Sequence, residues 1–306
     1  MTDEAPTDRS PGISKGSVIG PEGSGFSIAA MSDDLTHTHS DDEHDLGLLH
    51  DLDVLAARER EGRFRQPITR RRALARVGGV AGAAALLAAC KIEVTGGGYE
   101  AIPDETEGPY PGDGSNGPNV LTTSGVVRSD ITKSFGSYSG TATGVPMQLR
   151  MKVTDVSDGN IVKQGLAVYV WHCDSQGRYS LYSSGVTSQN YLRGVQVTDA
   201  NGMVVFDSIF PACYPGRWPH IHFEVYPSLA KATSAANKVK TSQIALPTAV
   251  CNEVYATSAY SSSKTSFSKV SLATDGIFRD GYSHQMANVT GDVDSGYVAR
   301  LTLAVE

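Results

Sequence analysis

Between residues 147 and 153 the chain alternates apolar and polar positions with a period of two. Met147, Leu149, Met151 and Val153 are separated by Gln148, Arg150 and Lys152. A strand sends successive side chains to opposite faces, so this stretch predicts a strand with one buried face. Leu166, Val168 and Val170 alternate with Ala167, Tyr169 and Trp171 in the same way. Further strands are expected at 203–210, 220–226 and 297–305. Clusters of Asp, Ser, Asn and Gly at 157–160, 174–177 and 199–202 supply turns, because these residues accept dihedrals that strand formers resist. Short strands joined by Gly-rich turns predict an all-β fold, an antiparallel β-sandwich. No internal repeat is evident, and the Ser-rich tract 258–268 reads as a surface loop.

The same periodicity carries the candidate chemistry. In the strand that contains His220-Ile221-His222-Phe223, the two histidines project together while Ile221, Phe223 and Val225 face the other way. The apolar face can be buried, which leaves two imidazoles free to converge on a metal ion. Pro211, Pro215, Gly216 and Pro219 disfavour ladder pairing, so Tyr214 is expected on a stiff loop leading into that strand. Tyr179 follows the turn 174–177. A phenol of pKa ~10 ligates as phenolate near neutral pH only to a strongly Lewis-acidic ion. Tyr179, Tyr214, His220 and His222 therefore suit ferric iron, Fe(3+). Zinc prefers Cys, His and carboxylate, and copper favours His with Cys or Met. No Cys-x-x-Cys-His haem attachment motif is present. The competing readings are a partly exposed His pair, a cupin-type His-x-His, which expects a glutamate further on than Glu224, and a strand-edge Tyr179.

With those residues in place, the chain from about Asp104 to its end resembles the intradiol ring-cleavage dioxygenases, non-haem Fe(III) enzymes. The resemblance rests on Thr106-Glu107-Gly108-Pro109-Tyr110, Arg128-Ser129-Asp130-Ile131, the stretches 171–180 and 192–199, and Tyr214 to Phe223. It implies iron ligands at Tyr179, Tyr214, His220 and His222, and a catalytic arginine at Arg217 that stabilises charge on the ring. It also implies a catalytic role for Tyr214 as the phenolate that yields to substrate, a matching glutamine at Gln243, and Tyr110 close to the substrate. Gln243 stands further from His222 than the family pattern expects, with 230–240 read as an insertion at the pocket rim. His172 and Trp171 are expected to pack beside the site rather than ligate. The implied reaction opens a catechol-type aromatic diol with O2, between its two hydroxylated carbons, to a muconate-type diacid. The alternative is a non-catalytic exported β-sandwich that binds aromatics or sugars.

The remaining sequence sets the context. Residues 1–68 mix Gly, Ser and Pro with acidic runs and read as a disordered leader, with Met31 an alternative start. His37, His39, His44 and His50 fall in this leader and are read as solvated. Residues 69–90 resemble a twin-arginine signal, Arg70-Arg71-Arg72 followed by the apolar run 77–89, too short to span a membrane. The run ends in a lipobox-like Leu87-Ala88-Ala89-Cys90, so export with a lipid anchor on Cys90 is expected. Residues 91–306 are expected to form an intradiol dioxygenase-like catalytic domain. The full chain of 306 residues carries a formal net charge of −7, and no basic patch suggests nucleic acid. Oligomeric state is left open, with a homo-oligomer among the options. Cys213 is expected to bond Cys251 and pin the Tyr214 loop, leaving Cys173 free, since an exported domain meets oxidising conditions.

Overall fold

The computed structural model describes residues 100–306. The leader, Met31, the twin-arginine-like signal and Cys90 lie outside the described residues. Among the described residues nine strands form two sheets, β1 (Pro146–Asp155), β2 (Ile161–Val162), β3 (Ala167–Trp171), β4 (Arg193–Val197), β5 (Met203–Ile209), β6 (His220–Tyr226), β7 (Lys240–Ala245), β8 (Asn288–Asp292) and β9 (Gly296–Val305). The first sheet runs β2-β1-β9-β8, with β5 sharing the β2 edge of β1; the second runs β4-β3-β6-β7. The all-β sandwich expected from the alternation is the architecture found.

The core lies between the sheets. Met147, Leu149, Met151 and Val153 of β1 are buried as their spacing predicts, together with Phe206, Ala299 and Leu303. Facing them in the same core are Val168 and Val170 of β3 and Ile221, Phe223 and Val225 of β6. Burying one such side chain contributes about 1.5–3 kcal/mol, so this layer is what holds the two sheets in one geometry.

Three features depart from the sequence reading. β1 pairs with β9 in parallel, within an otherwise antiparallel arrangement. Strand order is a long-range property that local alternation does not encode. β3 is buried on both faces, because Ala167, Tyr169 and Trp171 are covered as completely as their neighbours. The Ser-rich tract is not a loop. It forms a 3₁₀ turn at Ser258–Tyr260 and a helix at Ser261–Phe267, after a helix at Thr248–Tyr255. Tyr260 explains the order, since its hydroxyl donates to Phe210 O at 2.7 Å and accepts from Val145 N–H at 3.1 Å.

The expected Cys213–Cys251 bond is not formed; Cys173, Cys213 and Cys251 are all free and buried. Cys213 Sγ points to Arg217 O at 3.5 Å, whereas Cys251 Sγ lies 3.9 Å from Leu246 O. The Tyr214 loop is pinned by polar contacts instead, with Cys213 N–H donating to Ser263 Oγ at 3.0 Å and the Tyr255 hydroxyl to Pro211 O at 3.0 Å.

Candidate metal centre

The second sheet has a polar face turned away from the core. In register across it stand Arg193 of β4, Trp171 of β3, His222 of β6 and Gln243 of β7. His220 lies two residues before His222, on the same face, as a period of two requires. Trp171 stacks on His222 with ring centroids 4.9 Å apart and planes within 6°. The tryptophan fixes the plane of that imidazole and covers its flank.

Two loops bring phenols over this face. Between β3 and β4, Asp174 folds the turn by accepting from the N–H groups of Gln176 and Arg178, with Gly177 at φ +86. Tyr179 follows at once, its backbone N–H donating to Ser183 Oγ at 2.8 Å. Between β5 and β6, Arg217 N–H reaches Tyr214 O across Pro215 and Gly216, and Gly216 has φ +83. Proline followed by a positive-φ glycine is the type II turn pattern. The two loops touch where a Cβ on Gly177 would meet Tyr214 Cβ at 3.4 Å, so the phenols can approach one another.

Four donor atoms consequently share one small volume. Tyr179 Oη lies 3.3 Å from Tyr214 Oη and 3.4 Å from both His220 Nε2 and His222 Nε2. Tyr214 Oη is 3.2 Å from His220 Nε2, which is 3.1 Å from His222 Nε2. Two phenol protons and at most one imidazole N–H cannot satisfy these five contacts. His220 presents a lone pair at Nε2, because its Nδ1 sits 2.5 Å from Trp218 O and donates there. His222 Nδ1 has no hydrogen-bond partner among the described residues. Donors bound to one metal at about 2.0–2.1 Å stand about 3–3.4 Å from their neighbours, the spacing found here. The residues fit a shared cation.

The electrostatics agree. Burial, then Arg217, depresses His220 to about 3. Burial, then His220, holds His222 well below the ordinary histidine value. Both imidazoles are thus neutral near pH 7 and able to ligate. Tyr179, His220 and His222 are buried, whereas Tyr214 is partly exposed and is the donor that solvent reaches.

Arg217 is 1 % exposed and lies beside the cluster, Nη1 being 3.5 Å from His220 Nε2. Its Nη2 donates to Gln243 Oε1 at 2.6 Å, and Gln243 Nε2 donates to Thr106 O at 2.9 Å. Gln243 therefore reaches the site by aiming Arg217, despite its longer sequence separation. Arg217 Nε pairs with Asp275 Oδ2 at 3.1 Å. Burial pushes the Asp275 carboxyl up, but Arg217 and the Trp218 and Ile277 N–H groups outweigh it and hold the carboxyl below its ordinary value. Asp275 was missed in the sequence, where it is one acid in a 3₁₀-rich segment far from any motif.

Tyr110 packs on Tyr179 with centroids 5.0 Å apart and on Tyr182 at 5.2 Å, forming an aromatic wall beside the donors. Arg193, also without an assigned role in the sequence, ties this wall together. It donates to Tyr110 O, Pro111 O, Ser180 O, Ser180 Oγ and the Tyr169 hydroxyl at 2.8–3.1 Å. Lys238, inside the expected insertion, meets Glu107, Glu224 at 2.8 Å and Asp113 at 3.5 Å, so the tract closes the rim behind Tyr110. His172 does not join the donors; its ring nitrogens contact Cys173 O and Ser208 Oγ, both at 2.8 Å.

Comparison with known proteins places this geometry in context. Residues 116–230 match the family model Dioxygenase_C, described as Dioxygenase. The matched stretch contains Tyr179, Tyr214, Arg217, His220 and His222. The fold resembles an intradiol ring-cleavage dioxygenase from Tetranychus urticae, with 23 % identity, 68 % of this chain and 95 % of that chain covered, and a TM-score of 0.52. A second dioxygenase crystal structure is similar at 23 % identity, with 68 % and 94 % covered and a TM-score of 0.53. No curated protein matches the chain.

Proposed function

We propose that this chain is an intradiol ring-cleavage dioxygenase that binds ferric iron and opens catechol-type diols with O2 to muconate-type diacids. The observation that carries the reading is the convergence of two phenol oxygens and two imidazole nitrogens at 3.1–3.4 Å, with no carboxylate among them. The dioxygenase family match over the same residues supports it.

Tyr179, Tyr214, His220 and His222 would hold the ion. When bound, ferric iron would supply the Lewis acidity that keeps phenols and a chelated diol ionised near neutral pH. Two tyrosinates, two neutral imidazoles and one hydroxide would balance the three charges of that ion, which a buried site tolerates far better than a net charge. The protein residues then divide the work. Tyr214, the partly exposed donor, would give way to the diol and accept one of its hydroxyl protons at Oη, the other going to the hydroxide. Tyr179 stays, pinned through its backbone and packed by Tyr110. Arg217, fixed by Asp275 and Gln243, presents Nη1 toward the reacting ring and stabilises negative charge there. Tyr110 and Tyr182 pack the ring and exclude water.

The domain is proposed to act outside the cytoplasm as a lipid-anchored protein, on the strength of the Arg70-Arg71-Arg72 and Cys90 motifs. Metabolic labelling with a fatty acid tests this, and an unlabelled, unprocessed chain in the cytoplasm refutes it. The activity is tested by incubating iron-loaded protein with catechol under isotopically labelled O2. A ring-opened diacid carrying both labelled atoms is expected, while unchanged catechol, or a product with one labelled atom, contradicts the assignment.

A further inference from the structure

We propose that the outer face of the first sheet is a second binding site, one that takes small aromatic carboxylates and is separate from the metal centre. The metal centre occupies the face of the second sheet turned away from the core. This site lies across the whole sandwich from it, on strands β1, β5, β8 and β9.

The argument begins with charge. Arg150 of β1 and Arg300 of β9 are in-register partners on adjacent parallel strands, and both are exposed. Like charges directly opposite in a sheet are destabilising. Lys152 adds a third exposed cation two residues along the same face. Among the described residues no carboxylate lies within ion-pair distance of any of the three. The arginines make neutral contacts instead, Arg150 with Gln148 Oε1 at 2.6 Å and Arg300 with Thr290 Oγ1 at 3.0 Å. Glu100, the acid among the described lining residues, has a carboxylate oxygen 3.2 Å from His284 Nε2. Asp207, on the same face, accepts from Gln148 Nε2 at 2.8 Å and does not come within ion-pair distance of the three cations, so an anionic ligand can supply the charge they lack.

Shape and apolar surface narrow the ligand. Ile102 N–H bonds Ala304 O at 2.8 Å, and Met286 bridges to Ala245, so the segments around residues 102 and 286 wall one end of the sheet face. The result is a cavity of about 490 Å³ lined by Arg150, Lys152 and Arg300 together with Ile102, Met203 and Met286. That volume falls within the ~300–1,000 Å³ typical of small-molecule sites. Guanidinium groups bind carboxylates in a planar, two-pronged fashion, and methionine sulfur packs well against aromatic ring edges. An inorganic anion would leave the part-exposed surface of Met203 and Met286 unused, and a neutral ring would leave the cations unmatched. A carboxylate on an aromatic body uses both.

The test is calorimetric titration of the full chain with benzoate, with benzamide and inorganic phosphate as probes of the same ring without charge and of charge without the ring. Saturable binding of one benzoate is expected, equal in metal-free and iron-loaded protein, with both other probes at least tenfold weaker. Arg150→Gln and Arg300→Gln should each weaken benzoate about tenfold, the loss of one charge-assisted contact. Both variants are at exposed positions and relieve a like-charge opposition, so their melting temperatures should hold or rise. Lys152→Gln gives an independent, smaller loss. Absence of saturable benzoate binding overturns the proposal, as does binding that the arginine variants leave intact, phosphate binding as tight as benzoate, or binding that depends on iron. None of these outcomes bears on the ring-cleavage activity, so the two readings fail separately.

Discussion

The Arg217–Asp275 pair is the most consequential contact that no motif announces, and its energetics can be worked out in advance. Both side chains are fully buried. Asp275 accepts from Arg217 Nε at 3.1 Å and Trp218 N–H at 2.7 Å on one oxygen, and from the N–H groups of Ile277 and Phe278 at 2.8 and 3.1 Å on the other. Asp275→Asn can keep one oxygen on Ile277 and Phe278, but its amide then turns N–H donors toward two donors. Breaking one partner of a buried ion pair costs about 3–5 kcal/mol, because the other charge is left uncompensated. Arg217→Met should cost a similar amount by stranding Asp275. Removing both removes both stranded charges, so the double variant should lose less than the sum of the two by at least ~2 kcal/mol. Urea unfolding of the four proteins at one pH, followed by circular dichroism, measures the cycle. Losses that add within ~0.5 kcal/mol, or single losses under ~1 kcal/mol, would show that the pair does not hold the arginine and refute the reasoning. The accompanying kinetic expectation is a fall in kcat for Asp275→Asn with iron content retained, since the substitution moves Arg217 and leaves the donors in place.

Arg193→Lys replaces a planar group that makes five hydrogen bonds with one that has three donors, so at least two buried contacts are lost. A stability loss of ~3 kcal/mol or more in urea and a raised KM are expected; an unchanged melt contradicts its role as a tie between the Tyr110 and Tyr179 loops. Glu105 is pushed up to about 8, first by burial and then by Asp280. The folded chain therefore keeps that proton to about pH 8, while the unfolded chain releases it near ~4.3, so this group's contribution to stability is lost as pH rises through that window. Glu105→Gln should raise the melting temperature more at pH 8 than at pH 5, and an equal change at both argues against it. Alkylation before and after denaturation should find Cys173, Cys213 and Cys251 inert in the native protein and free in the unfolded one; a Cys213–Cys251 linked peptide would contradict the structure.

Much of the site was legible because its donors obey local rules. A period of two fixed the shared face of His220 and His222, and prolines with glycine marked the loop that lifts Tyr214. The turn at 174–177 did the same for Tyr179. What remained hidden depends on pairings distant in sequence. Asp275 meets Arg217 across 58 residues of chain, and Gln243 meets His222 only through β-sheet register. The parallel pairing of β1 with β9 is likewise invisible to alternation. In the Ser-rich tract, polar composition masked the buried anchors Tyr260 and Ser263. The disulfide expectation failed because compartment argues only that a bond could persist, while side-chain direction decides whether it can form.

The central claim is that Tyr179, Tyr214, His220 and His222 close on a single ferric ion. Iron loading of the full chain, with metal content and visible absorption read on the same sample, tests it most directly. The account predicts one iron per chain and a visible tyrosinate-to-iron band that Tyr179→Phe weakens and His220→Ala abolishes together with the metal. Stoichiometric iron without such a band, or a band indifferent to both substitutions, would contradict it.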